Sequence, residues 1–218
     1  MKYPLFLNLF VTLLLQSCVK KAQDCPVNFQ IPAQTLPYSE QYQIGDTITV
    51  ISEFHKEVYE LNTDKRYDME GIEWFPGLGV ARIDNDSVDV NFRTKDYFDL
   101  VENSKYGLEW FTYSDGATQI DGVYNFQNDT FDIEVKIIAQ STGIYNLRFG
   151  SQLFASKQWF PGKCKRSHFQ AQTTMNVGED NHIHLLEESP NPHFNTWVLQ
   201  KTDERFYAKG DFCFSVVE

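Results

Sequence analysis

The chain is short of everything that usually announces catalysis. It has no Gly-x-Ser-x-Gly, no Ser-x-x-Lys, no His-Glu-x-x-His and no phosphate-cradling glycine loop. Basic residues are scarce too, 19 Lys and Arg against 30 Asp and Glu, for a formal net charge of -11. Such a surface has little with which to neutralise phosphates, which argues against a nucleic-acid partner. It also gives no electrostatic attraction to anionic lipid, so membrane association would need an anchor. The longest apolar stretch, Leu5 to Leu15, is interrupted at Asn8 and Thr12 and is too short to span a bilayer. No segment shows a convincing amphipathic-helix period, and cysteine is limited to 4 residues, too few for a disulfide scaffold. Hydrophobic content of 42 % with 22 % charge nevertheless places the chain among globular rather than disordered proteins.

What is present begins at the N-terminus. Met1-Lys2 and the Leu5–Leu15 run have the order of a secretory signal: a positive start, then an apolar core. The run ends in Leu15-Gln16-Ser17-Cys18, which resembles the lipobox of bacterial lipoproteins, with Leu three before the cysteine and a small residue just before it. That resemblance implies cleavage before Cys18 and a lipid on Cys18 as the membrane anchor. Residues 1–17 are then the signal peptide and residues 18–27 a tether. Val19 stands where enterobacterial lipoproteins retained at the inner membrane carry aspartate, so outer-membrane attachment is expected, facing either the periplasm or the surface. With Cys18 lipidated, Cys25, Cys164 and Cys213 remain, and an exported chain permits one bridge among them. Cys164–Cys213 is the preferred pair.

Residues 28–218 read as strand after strand. Phe131, Ile133, Val135 and Ile137 alternate with Asp132, Glu134 and Lys136, the period of a half-buried strand. Tyr145, Leu147 and Phe149 repeat it, and so do Phe212, Phe214 and Val216. Two internal echoes occur. Gly71-Ile72-Glu73-Trp74-Phe75 matches Gly107-Leu108-Glu109-Trp110-Phe111, and Val80–Phe92 aligns with Val123–Val135 about a central Asn-Asp-Ser/Thr. Asn and Asp tolerate the left-handed conformations of tight hairpins, so both segments read as hairpins. Ser141-Thr142-Gly143-Ile144-Tyr145 resembles the tyrosine corner of immunoglobulin-like domains, and Gly210-Asp211-Phe212 is a looser version with Phe for Tyr. The expected fold class is therefore all-β: an antiparallel, immunoglobulin-like β-sandwich over 28–218. The alternative is two smaller β domains split near residue 161. As a whole the chain resembles the small β-rich lipoproteins encoded by Bacteroidota, a resemblance nearly silent on activity.

The candidate ligand groups are few. Trp-Phe pairs recur at Trp74-Phe75, Trp110-Phe111 and Trp159-Phe160; strand neighbours point to opposite faces, so each pair places one ring in the core and one outside. An outward row of Trp74, Trp110 and Trp159 would stack against sugars. His182-Ile183-His184 puts two imidazoles on one side of a strand, a weak metal candidate without a third ligand at a recognisable spacing. No cofactor is implied. The leading expectation is a non-enzymatic, lipid-anchored envelope protein that binds or scaffolds, its partner held at an exposed strand edge or apolar patch. Glycan capture through the tryptophans is the runner-up, and a hydrolase on glycans, its two carboxylates distant in sequence, comes third.

Overall fold

A computed structural model describes residues 26–86, 93–152 and 170–218. Cys18, Cys25, Trp159 and Cys164, with the expected signal peptide and most of the expected tether, lie outside the described residues. The protein is a β-sandwich. Numbered along the chain, the larger sheet runs in the order β5 (Lys65–Asp68), β4 (Glu57–Glu60), β1 (Asn28–Leu36), β13 (Gln170–Met175), β12 (Gly143–Gln152), β6 (Phe75–Arg82), β9 (Thr118–Asp121) and β8 (Glu109–Thr112). β14 (Asp211–Val217) lies beside β12 and carries β2 (Gln41–Gln43) on its other side. The smaller sheet holds β3 (Thr47–His55) and β11 (Thr130–Ala139), with β10 (Asn125–Gln127) and β7 (Phe98–Leu100) also paired to β11. Pairing is antiparallel except between β1 and β13 and between β2 and β14. Strands from both sides of residue 161 share the larger sheet, because β12 pairs with β13 and β14.

The alternation read from the sequence is what builds the two inner faces. On β11, Phe131, Ile133, Val135, Ile137 and Ala139 are buried, and they oppose Ile48, Val50 and Phe54 of β3. Each such side chain contributes about 1.5–3 kcal/mol on burial, which fixes the register, since a one-residue slip would turn the whole set to water. The hairpin between β10 and β11 turns on Asn128 and Asp129, with φ of 52° and 61°, the left-handed pair that a two-residue turn needs. The tyrosine corner is formed as well: the Tyr145 hydroxyl donates to the carbonyls of Ser141 at 3.1 Å and Thr142 at 3.3 Å. A Cβ on Gly143 would stand 3.1 Å from that hydroxyl, so glycine leaves the room the corner requires.

Two features depart from the strand-only reading. First, β1 belongs to both sheets. Residues 28–33 pair with β13 in the larger sheet, and residues 34–36 pair with β3 in the smaller. Pro32 sits at the crossing, where a residue without an amide proton leaves no donor stranded, and its carbonyl accepts from Ser52 Oγ at 2.7 Å. Second, residues 183–207 form a series of short helical turns packed on the outer face of the larger sheet. Leu185, Leu186, Phe194, Val198 and Phe206 bury against Ile83 and Cys213 and make a second, smaller core. Their apolar spacing is broken by Ser189-Pro190-Asn191-Pro192, which is why no regular helical period shows in the sequence. His182 and His184 accordingly stand in a turn and a helical segment, not on a strand.

The chain enters the sandwich at a carboxylate clamp. Glu60, wholly buried, accepts from the amides of Val27 at 3.0 Å, Asn28 at 2.8 Å and Thr63 at 2.7 Å, and from the Thr63 hydroxyl at 2.7 Å. Burial opposes its charge, but these donors outweigh it and hold its pKa at about 2.

Candidate functional site

The helical layer covers only part of the larger sheet's outer face. It lies over Ala81 of β6, Ile144 of β12 and Cys213 of β14. Among the described residues nothing covers the neighbouring part of that face, and its floor lacks side chains. Outward positions of β6 are Phe75, Gly77, Gly79 and Ala81, since Pro76, Leu78 and Val80 point into the core. On β12 the outward residues opposite them are Gly150, facing Gly77, and Arg148, facing Gly79. A Cβ built on Gly79 or on Gly150 would meet nothing within 4 Å. Glycine weakens a strand interior by roughly 0.5–1 kcal/mol, and neither crowding nor a left-handed backbone requires it at these two positions. What the two glycines provide is a flat surface on which another molecule can approach the backbone closely.

Polar and aromatic groups frame this floor. Pairing between β8 and β9 sets Phe111 opposite Gln119 and Glu109 opposite Asp121, all on the outer face. At a strand spacing of about 4.8 Å, Phe111 and Arg148 are about 14 Å apart across the floor. Phe75, Phe111 and Tyr113 are 39 %, 44 % and 42 % exposed, and the rings of Phe111 and Tyr113 meet edge to face at 5.0 Å. Gln119 Nε2 donates to Asp121. Partial burial, and then the carboxylate of Glu109, raise the pKa of Asp121, while the Gln119 hydrogen bond opposes the rise.

On the other side, Arg148 makes a two-pronged pair with the buried Asp211, Nε to Oδ1 at 2.7 Å and Nη2 to Oδ2 at 2.8 Å. Beyond it stands Trp197 of the helical layer, half exposed, with His193 stacked on its ring at 4.9 Å and the Arg205 guanidinium 3.9 Å from its centroid. Arg205 is fixed there by donating to the Trp197 carbonyl. Burial, with Arg148 and Arg205 near it, pushes His193 below its ordinary pKa. The face therefore runs from an aromatic, acidic rim on β8 and β9, over a bare floor, to a basic, aromatic wall.

The sheet has two unlike ends. β5 is Lys-Arg-Tyr-Asp, a charged edge of the kind that blocks pairing with another chain. β8 is Glu-Trp-Phe-Thr, and among the described residues β9 is the only strand it pairs with.

The residues singled out from the sequence are dispersed. Trp74 is 4 % exposed, packed edge to face on Phe29 and Phe54, and so has no ring face to offer a sugar. Trp110 is half-buried and packs against the main core. Both Trp-Phe pairs do place neighbours on opposite faces, but with the phenylalanine outward. Each echo begins with a left-handed glycine, Gly71 or Gly107.

Cys213 is a free and fully buried thiol whose pKa is pushed up by burial; Cys164, the bridge partner expected for it, lies outside the described residues. His182 Nδ1 faces the Cys213 carbonyl at 3.0 Å, whereas the exposed His184 turns to Glu40 at 3.4 Å, so the two imidazoles serve different neighbours. No group of three or more potential metal ligands forms among the described residues. The glycine floor went unnoticed in the sequence, although Phe75-x-Gly77-x-Gly79-x-Ala81 carries its signal: small residues at every second position of a strand.

No protein-family model matches the chain, and neither does any curated protein. Among solved structures, a cohesin module from a family 33 glycoside hydrolase of Clostridium perfringens ATCC13124 is 12 % identical, covering 68 % of this chain and 99 % of that one, with a TM-score of 0.31. The human F-spondin reeler domain is 12 % identical over 67 % of this chain and 96 % of its own, with a TM-score of 0.32. A non-cellulosomal cohesin from Archaeoglobus fulgidus is 8 % identical over 88 % and 93 %, with a TM-score of 0.34. Likenesses this distant say nothing about activity or partner.

Proposed function

We propose that this chain is a non-enzymatic protein-binding module of the bacterial cell envelope, tethered through a lipid on Cys18, whose partner docks on the glycine-floored face beside β8. The observation that carries the reading is the floor itself. Gly79 and Gly150 weaken their strands, answer no packing demand among the described residues, and lie between exposed rings and charged groups. A flat apolar floor with a charged periphery suits a protein surface better than a small molecule, which needs concavity to bury most of its area. The aromatic edge of β8 extends the same surface and, among the described residues, is open to strand addition. Glycan capture is the weaker reading, because Trp74 is in the core and Trp110 faces it. Hydrolysis is weaker still: Glu109 and Asp121 stand side by side on an open sheet, not across a cleft.

Two experiments test the proposal in cells. Cys18→Ala is expected to move the protein from the membrane to the soluble fraction; retention in the membrane would remove the anchor from the account. A photo-crosslinking amino acid in place of Gln119, at the rim of the floor, should yield a discrete protein adduct, whereas the same group in place of Gly45, in a turn with open surroundings, should not. Adducts of equal yield from both positions, or from neither, would refute docking on this face.

A further inference from the structure

The opposite flank of β1 carries a second recess. Where β1 leaves β13 to join β3, a cavity of about 520 Å³ opens, and a second of about 430 Å³ continues from it, the two sharing Pro32, Glu53 and Val177. Together they form a trough beside β1 from Leu36 to Gln30, about 20 Å at strand spacing, the reach of an extended peptide of some six residues. In the wider cavity apolar and polar walls are about balanced, with Leu36, Tyr38, Ile51 and Val177 supplying the apolar side. Its charged groups are Glu53 and Glu179, both exposed and without an ion-pair partner among the described residues, and no Lys or Arg lines it; the second cavity adds Glu57, His55 and Arg66, whose guanidinium donates to the Glu57 carbonyl.

One wall is held rigidly. Val177 is 73 % exposed, the most exposed of the large apolar side chains among the described residues, and it stands on a turn whose flanks, Asn176 and Gly178, have φ of 44° and 90°. Asn176 Oδ1 accepts from the Thr35 amide at 2.7 Å, and its Nδ2 donates to Asn181 Oδ1 at 2.9 Å. Asn181 in turn donates to the Met175 carbonyl at 3.1 Å. An exposed β-branched side chain fixed by a buried hydrogen-bond chain is a wall already in place before a ligand arrives.

We propose that this trough binds an extended peptide segment bearing a lysine or arginine among aliphatic residues, its stem on Val177, Leu36 and Ile51 and its cationic head between Glu53 and Glu179. Charge complementarity at the wider cavity commits the choice: its two unpaired carboxylates beside Val177, Leu36 and Ile51 favour a cationic head on an aliphatic stem and disfavour an anionic one. The site is separate from the glycine floor and does not depend on it.

The test is fluorescence anisotropy of a labelled Val-Lys-Val-Lys-Val peptide titrated with the full-length protein in detergent, beside a Val-Glu-Val-Glu-Val control. The lysine peptide should bind, and the glutamate peptide should not. Glu53→Gln with Glu179→Gln should weaken binding at least tenfold, Val177→Ser should weaken it severalfold, and added salt should weaken it in the parent protein. Because all three side chains are exposed, melting temperatures should stay at the parent value. Gly79→Thr with Gly150→Thr should leave peptide binding unchanged, so this site and the sheet-face site fail or stand separately. Equal binding of both peptides, indifference to the glutamine pair, or displacement by spermidine as effective as by unlabelled peptide would overturn the proposal.

Discussion

Glu60→Ala should lower stability at neutral pH by about 3–5 kcal/mol, because it strands the amides of Val27, Asn28 and Thr63 at once. For a chain of this size that is a fall in melting temperature of about 10 °C. Glu60→Gln, with one acceptor oxygen in place of two, should fall between. The effect depends on pH with a definite sign. The folded pKa of Glu60 is about 2, below its ordinary value of 4.5, so its contribution is fully present above about pH 4.5. It is lost as the pH falls toward 2, and the gap between parent and Glu60→Ala should narrow over that window. Thermal melts at pH 7, 4 and 2.5 measure it directly; a gap independent of pH would mean that packing, not the charged acceptor, is what Glu60 supplies. The clamp also sits where the proposed tether would meet the fold, so in an anchored protein any pull on it would reach the sandwich first through Glu60.

Arg148→Ala should be comparably costly for a different reason. Asp211 is 1 % exposed, and Arg148 and Asp211 make a two-pronged pair. Removing the guanidinium leaves a buried carboxylate uncompensated, a loss of about 3–5 kcal/mol. Burial already raises the pKa of Asp211 while Arg148 opposes it, so the variant should raise it further. A raised folded pKa makes stability fall as the pH climbs through it, so this variant should be least stable near neutrality and recover in mild acid, the reverse of the Glu60 trend. Arg148→Ala combined with Asp211→Leu should regain much of the loss, since no charge is then left buried. Urea melts of the two single variants and the double variant close the cycle; a double variant no more stable than Arg148→Ala would contradict this account of the pair.

How much of this was legible in the sequence depends on the range of the interactions. The period-2 runs at 131–137 and 145–149, the Asn-Asp hairpin and the tyrosine corner are local patterns, and all of them form. The two-sheet path of β1 is not local: residues 28–33 and 34–36 look alike, and only the choice of partner, β13 or β3, separates them. The helical layer was hidden because its apolar residues come in pairs separated by Pro190 and Pro192, with no steady period. The Trp-Phe pairs showed that one ring points in and one out, but which ring is which depends on the strand's phase. Assigning the outer rings to tryptophan inverted the outcome at Trp74. Glu60 carried no signal of its own among 30 acidic residues; Val27 and Asn28 are brought to it by the pairing of β4 with β1, and Thr63 by the turn that follows β4. The glycine floor was written plainly at alternate positions of β6, but a bare strand becomes a surface only when Gly150 of β12 is set beside Gly77.

The central claim, that the bare face serves a partner and not the fold, is tested most directly by filling it. Gly79→Thr with Gly150→Thr places β-branched residues in open strand positions, and should raise the melting temperature by a few degrees, from about 0.5–1 kcal/mol gained per site. In the same double variant, a crosslinking group carried at Gln119 should no longer yield the protein adduct that it yields in the parent. A more stable protein that has lost its adduct is the result this account requires. A variant that keeps the adduct in full yield would show that the glycines are incidental and that the partner, if any, binds elsewhere.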